Sequence, residues 1–66
     1  MIVSSFTVPE LNYLRDNCNF VGTESAVFEL RSKGIPLEEI AETLNMSAEG
    51  IRKVSRKVNN KITRVL

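Results

Sequence analysis

The sequence predicts an all-α fold: one small four-helix domain over residues 1–66, with a helix-turn-helix in its C-terminal half. Three observations predict it. Apolar residues recur at steps of three and four, and no short apolar run alternates with period two for long enough to make a strand. Helix-start and helix-stop residues stand at the ends of these periodic segments. The last 17 residues hold six cations and no acid, set between the members of a long apolar stripe.

The first helix starts at Thr7. Thr7 and Glu10 have the spacing of a capping box, and Phe6 and Leu11 that of a hydrophobic staple across it. Pro9 is tolerated in a first turn. Val8, Leu11, Leu14 and Cys18 are expected on one face, and "NCN" ends the helix. Residues 1–6 are expected to fray. Thr23, just after Gly22, is the expected N-cap of the second helix. Its narrow apolar face is Ala26, Val27 and Leu30, with Phe28 on the flank. Lys33 suits its negative end, and Gly34 the left-handed residue beyond.

The third helix follows "GIP", with Pro36 near its first position and Glu38 and Glu39 at the positive end of its dipole. Leu37, Ile40, Ala41 and Leu44 are its buried face. Asn45, one of the few non-glycine residues that accept a left-handed conformation, ends it. Ser47 caps the fourth helix, residues 47–64, and Met46 with Ile51 repeats the staple spacing. Ile51, Val54, Val58, Ile62 and Val65 follow as a sustained stripe. Ile62, Val65 and Leu66 are expected to finish the core.

Length and composition narrow the function. A 66-residue chain buries only ~60% of its unfolded surface, so its core has to be efficient. No apolar run approaches the ~18 residues of a membrane span. The start, "MIVSSFTVPE", lacks the basic region and apolar core of a secretory signal, so an intracellular protein without membrane contact is expected. With one cysteine and no histidine, the chain offers no internal disulfide, zinc set or Ser/His/Asp triad. Cys18 reads as a small buried residue rather than a reactive thiol. The glycines are too widely spaced for a phosphate loop, so neither a cofactor nor an enzyme is expected.

The net charge of +1 hides an asymmetry. Residues 1–49 carry three basic and eight acidic side chains, a balance of −5. Residues 50–66 carry Arg52, Lys53, Arg56, Lys57, Lys61 and Arg64 alone, a balance of +6. That distribution points to a polyanionic partner; a solvated basic helix is the alternative.

The break at "NMS" has the spacing of a helix-turn-helix. Ala41 is the small residue at which two helices can pack closely. Ile40, Leu44 and Met46 fall on buried positions around it, and Asn45 stands at the turn. Ile51 and Val54 follow ten and thirteen residues after the alanine, on the inner face of the next helix. A four-helix bundle with a chance likeness is the alternative.

The segment "VFELRSKGIPLEEIAETLNMSAEGIRKVSRKVNNKI" resembles region four of bacterial sigma factors and the DNA-binding domain of LuxR-type regulators. The shared pattern is "VFxLR…G", then "EEIAxxL", then "SxxxIR" and a basic tail ending in "KI". With "ELNYLRDN" in the place of the leading helix of sigma region four, the likeness covers most of the chain and is more sigma-like than LuxR-like. The chain departs from the pattern at Asn45, where glycine is usual, at Pro36, where a Ser or Thr cap is common, and at Gly50. Ala48 and Lys53 replace residues frequent in sigma factors, so the sigma site preference does not carry over.

The resemblance implies a fold like sigma region four and a transcription regulator that binds double-stranded DNA through its fourth helix. It places Glu49, Arg52 and Lys53 at base-facing positions. Ser47, Ala48 and Arg56 share the interface, and Lys57 and Lys61, with Arg64, are expected at phosphates or in solvent. Arg52 can take a guanine edge through two hydrogen bonds, and Glu49 can accept from a cytosine amino group. Gly50 either lets the helix approach DNA closely or marks a lost contact. The expected setting is the cytoplasm, at the nucleoid when bound to DNA. One unit offers a small interface, so tight binding calls for a homodimer or a larger complex. The competing reading is a small sigma-like adaptor whose acidic half meets RNA polymerase or another regulator.

Overall fold

A computed structural model describes residues 6–66. It contains four helices and, among the described residues, no strand: α1 (Val8–Asn17), α2 (Thr23–Ser32), α3 (Leu37–Thr43) and α4 (Ala48–Val65). The expected fraying of residues 1–6 lies, but for Phe6, outside the described residues. Phe6 is half-buried and packs against the core.

Each start and stop has a local cause. The Thr7 N–H donates to Glu10 Oε1 at 2.8 Å, and the Glu10 N–H donates to Thr7 Oγ1 at 3.4 Å, so the capping box closes both ways. The Thr7 N–H, and after it the Thr7 hydroxyl donating to the same oxygen at 3.0 Å, hold the Glu10 carboxyl below the usual carboxylate range. Ser47 Oγ accepts from the Gly50 N–H at 3.1 Å and starts α4.

Helices α2 and α3 end alike. Beyond α2, Gly34 (φ +85°) donates to the Arg31 carbonyl at 2.9 Å, and Ile35 to the Leu30 carbonyl at 3.3 Å. Beyond α3, Asn45 (φ +56°) donates to Glu42 at 3.2 Å, and Met46 to Ala41 at 2.8 Å. Both are Schellman closures, and each turns an apolar residue, Ile35 or Met46, back onto the core.

Helix α4 is the spine. At 1.5 Å per residue its 18 residues span about 27 Å, close to the 30 Å longest dimension of the domain. Helices α1, α2 and α3 all pack on it, and α2 also packs on α3. The core is one cluster of Leu11, Leu14, Cys18, Val27, Phe28, Ile40, Ala41, Ile51, Val58 and Ile62, with no buried polar side chain among the described residues. Phe28 is its largest fully buried member. Its ring stacks on Phe20 with centroids 4.6 Å apart, and the Arg15 guanidinium lies 5.8 Å from its centroid. Arg15 also grips Glu29 with two bonds, of 2.6 and 2.8 Å, tying α1 to α2.

Four expectations are corrected. Val8 is 68% exposed: it is the first residue of α1, and the buried face begins one turn later at Leu11. Thr23 is the first helical residue rather than the cap. Gly22 (φ +53°) holds the cap position and no side chain closes it. Phe28 is central, not flanking, while Ala26 and Leu30 are half-buried; the buried face of α2 is rotated towards the larger side chain. Leu66 is 72% exposed, so Ile62 and the half-buried Val65 finish the core without it.

Ile51 is 1% exposed, on the α4 stripe facing α3 and the core. A carboxylate there has no described partner, and such burial costs about 4 kcal/mol or more. A domain of this size has roughly 3–10 kcal/mol in total. Ile51→Asp is therefore expected to abolish the cooperative thermal transition followed by far-UV circular dichroism. A melt like the parent's would mean that α4 is rotated from this placement.

Candidate nucleic-acid interface

The apolar stripe fixes where every other α4 side chain points. With 3.6 residues per turn, Ile51, Val58 and Ile62 lie along one line facing the body of the domain. Glu49, Arg52, Lys53 and Arg56 then face outward, and all four are exposed. Ala48 and Lys57 are exposed on opposite flanks of that face. Arg64, also exposed, continues it in the last turn. The first turns of α4 thus hold three basic side chains around one acid. Lys53 Nζ and Glu49 Oε1 are 4.0 Å apart across one turn, with both side chains largely in solvent, and such a pair is weak and readily exchanged.

Ser47 is engaged as the cap. Gly50 stands beside it: a Cβ there would lie 3.1 Å from Ser47 Oγ and 3.5 Å from Met46 Cε. The missing side chain leaves room for the capping hydroxyl and the Met46 methyl. Its direction is along the flank of the helix rather than out of the basic face.

Lys61 has a different role from its basic neighbours. Its ammonium is paired with the Glu24 carboxylate and donates to the Asn19 carbonyl at 3.0 Å. Glu24 is the second residue of α2 and Asn19 follows α1, so one side chain ties the outer half of α4 to the α1–α2 corner. The bond from Lys61 holds the Glu24 carboxyl below its usual value, and the nearby Lys57 charge adds to the effect. At the same corner the Cys18 thiol donates to the Lys61 carbonyl at 3.7 Å, and burial pushes the Cys18 pKa up. Cys18 is accordingly a buried, protonated core residue.

A second feature lies on the other flank. Leu37, Glu38, Ala41, Ala48, Ile51 and Arg52 line a crevice of about 210 Å³ between α3 and the start of α4. Its floor is apolar and small-residued, and its two charged walls are Glu38 and Arg52. The structure thus groups Ala48, Glu49, Arg52, Lys53, Arg56 and Lys57 along α4 from its start to its middle, and sets Lys61 apart. Sequence reasoning missed Glu24, Asn19 and Glu38. The first two are 37 and 42 residues from Lys61, with no local pattern to join them. Glu38 was visible only as a helix-start acid.

No described helix is long and apolar enough to cross a membrane. Comparison with protein-family models, curated proteins and solved structures finds no match to the chain.

The Glu24–Lys61 pair makes stability depend on pH with a definite sign. A carboxyl whose folded pKa lies below its ordinary 4.5 stabilises the fold above that value. The contribution is lost as pH falls through the lowered folded value. Lys61→Ala is therefore expected to lower the melting temperature at neutral pH and to narrow its gap to the parent as pH drops below about 4.5. Parallel melting curves across the acid range would show that the pair contributes nothing to the fold.

Proposed function

We propose that the domain binds duplex DNA as a helix-turn-helix module of a transcription regulator, with the start of α4 in the major groove and α3 behind it. The observation that carries this reading is the outward face of α4. Arg52, Lys53 and Arg56 stand exposed, with Lys57 at their edge, on the side opposite a stripe that is fully committed to the core. A groove-reading helix needs that division: one face anchored, the other basic and accessible. The four-residue connection between α3 and α4, with Asn45 at a positive φ, supports the same reading, as does the likeness to sigma region four.

Arg52 lies near the start of α4, where base edges are within reach, and its guanidinium suits the paired acceptors of guanine. Arg56 and Lys57 lie about one turn further along, where phosphates line the groove. Because Lys61 is paired within the domain, four cations remain for this end of the helix. The setting would be the cytoplasm, at the nucleoid when bound. A module this small binds tightly when paired, as a homodimer or within a larger complex.

The second reading is a sigma-like adaptor that docks on RNA polymerase or another regulator. It draws on α3, whose Glu38, Glu39 and Glu42 are exposed and would suit a basic protein surface.

If Lys53, Arg56 and Lys57 each neutralise a phosphate while Arg52 reads a base edge, the logarithm of affinity for duplex DNA falls against the logarithm of salt with a slope of about −3. Retention of duplexes measured from low to moderate salt tests this, and no binding at the lowest salt would favour the adaptor. Arg52→Ala is expected to cost ~1–3 kcal/mol at one base pair and little elsewhere, whereas Lys57→Ala weakens all sequences alike and reduces the slope by about one. A panel of single-base variants at fixed salt separates the two. Even weakening by Arg52→Ala across the panel would make Arg52 a phosphate clamp.

A further inference from the structure

The crevice between α3 and α4 brings together two opposite charges that the fold itself leaves unsatisfied. Glu38 and Arg52 are both exposed, and neither forms an ion pair or side-chain hydrogen bond with another described residue. They share the crevice with Leu37, Ala41, Ala48 and Ile51, which offer no competing polar group. The acid–base contacts of the described structure lie elsewhere: Arg15 with Glu29, Lys53 with Glu49, Lys61 with Glu24. The small side chains of Ala41 and Ala48 leave the space between the two walls open.

The geometry points to Glu38 as a positioning residue for Arg52, one that acts when a base edge is read. The inference rests on the DNA-binding reading above. In the unbound domain a pair across this crevice would gain little, because water solvates both charges and the long Arg52 side chain loses freedom by pairing. A duplex laid over the start of α4 changes both terms. It displaces water from the crevice mouth, which strengthens the attraction between the two charges. It also requires the guanidinium to adopt one orientation, a cost that a carboxylate at its back shares. Guanidinium has five N–H donors in a planar fork. Two directed at Glu38 leave a second edge with two parallel donors, the pattern that matches guanine O6 and N7. Glu38 thereby helps to set sequence preference without touching the DNA. An isolated acid near phosphates would do the opposite, weakening every sequence through repulsion.

The test is a double-mutant cycle on the full chain. Parent, Glu38→Gln, Glu38→Asp, Arg52→Ala and the Glu38→Gln/Arg52→Ala pair are measured against the single-base panel. Thermal melts accompany them to show that the exposed substitutions leave the fold intact. Glu38→Gln is expected to reduce discrimination on the order of fivefold at the base pair that Arg52→Ala affects. It should have no further effect there once Arg52 is absent, and Glu38→Asp should restore part of the preference. If Glu38→Gln instead raises affinity evenly over the panel, or adds independently to Arg52→Ala, Glu38 is only a repelling charge and the inference falls while DNA binding stands. If the parent binds no duplex even at low salt, the inference falls together with the function on which it rests.

Discussion

A single helix has to be both the spine of this domain and its most charged surface. The stripe of Ile51, Val58 and Ile62 receives α1, α2 and α3, and these three side chains are at most 2% exposed. What remains of the circumference of α4 carries the cations. Few residues are available to make a core, so no other element can take over the stripe. The direction of Arg52 and Arg56 follows from burial of their neighbours: turning α4 by one residue, about 100°, would drive Arg52 into the core. Core and candidate interface are two sides of one object.

The turns decide how the other helices meet this spine. Gly34 and Asn45 take the left-handed conformation, each closes the end of a helix on two backbone bonds, and each delivers an apolar side chain to the core within one residue. Glycine adopts that conformation without cost, and asparagine is among the few other residues that visit it. Together they set α3 between α2 and α4, with Ala41 buried where it packs, and so bring Glu38 and Arg52 to the lining of one crevice.

Much of this was legible because its causes are local. The Thr7–Glu10 box, the Ser47 cap, the glycine after α2, the asparagine after α3 and the stripe of α4 are each encoded within a few residues. The all-helical fold and the core or turn positions of Ala41 and the six residues read around it follow from them. Misreadings arose where the cause lay farther off. Val8 fits the periodicity of α1 but precedes the part of the helix that has a neighbour. Phe28 sits off the narrow stripe of α2 read as Ala26, Val27 and Leu30, yet its size and the Phe20 ring turn the helix towards it. Thr23 is a good cap beside a glycine that takes the cap position through its positive φ. Lys61 reads as one more cation in a basic run; its partners come from a corner of the fold built by other segments. Grip of Arg15 on Glu29 was hidden for the same reason.

The corner around Lys61 also bears on the order in which the chain can be completed. Its ties to Cys18 and Asn19 join residues 43 and 42 positions apart, the far end of α4 to the end of α1. Successive helices meet across short connections, and closing such loops costs less entropy than closing the one of more than forty residues that brings Lys61 to Cys18 and Asn19. The other side-chain tie of α1, between Arg15 and Glu29, is open to solvent at both ends and correspondingly screened. On a ribosome, α1 leaves the tunnel first, yet the backbone groups and the ammonium that anchor its end are made only when Lys61 has been added. The end of the first of the four helices is therefore tied down only once the far half of the fourth has been made.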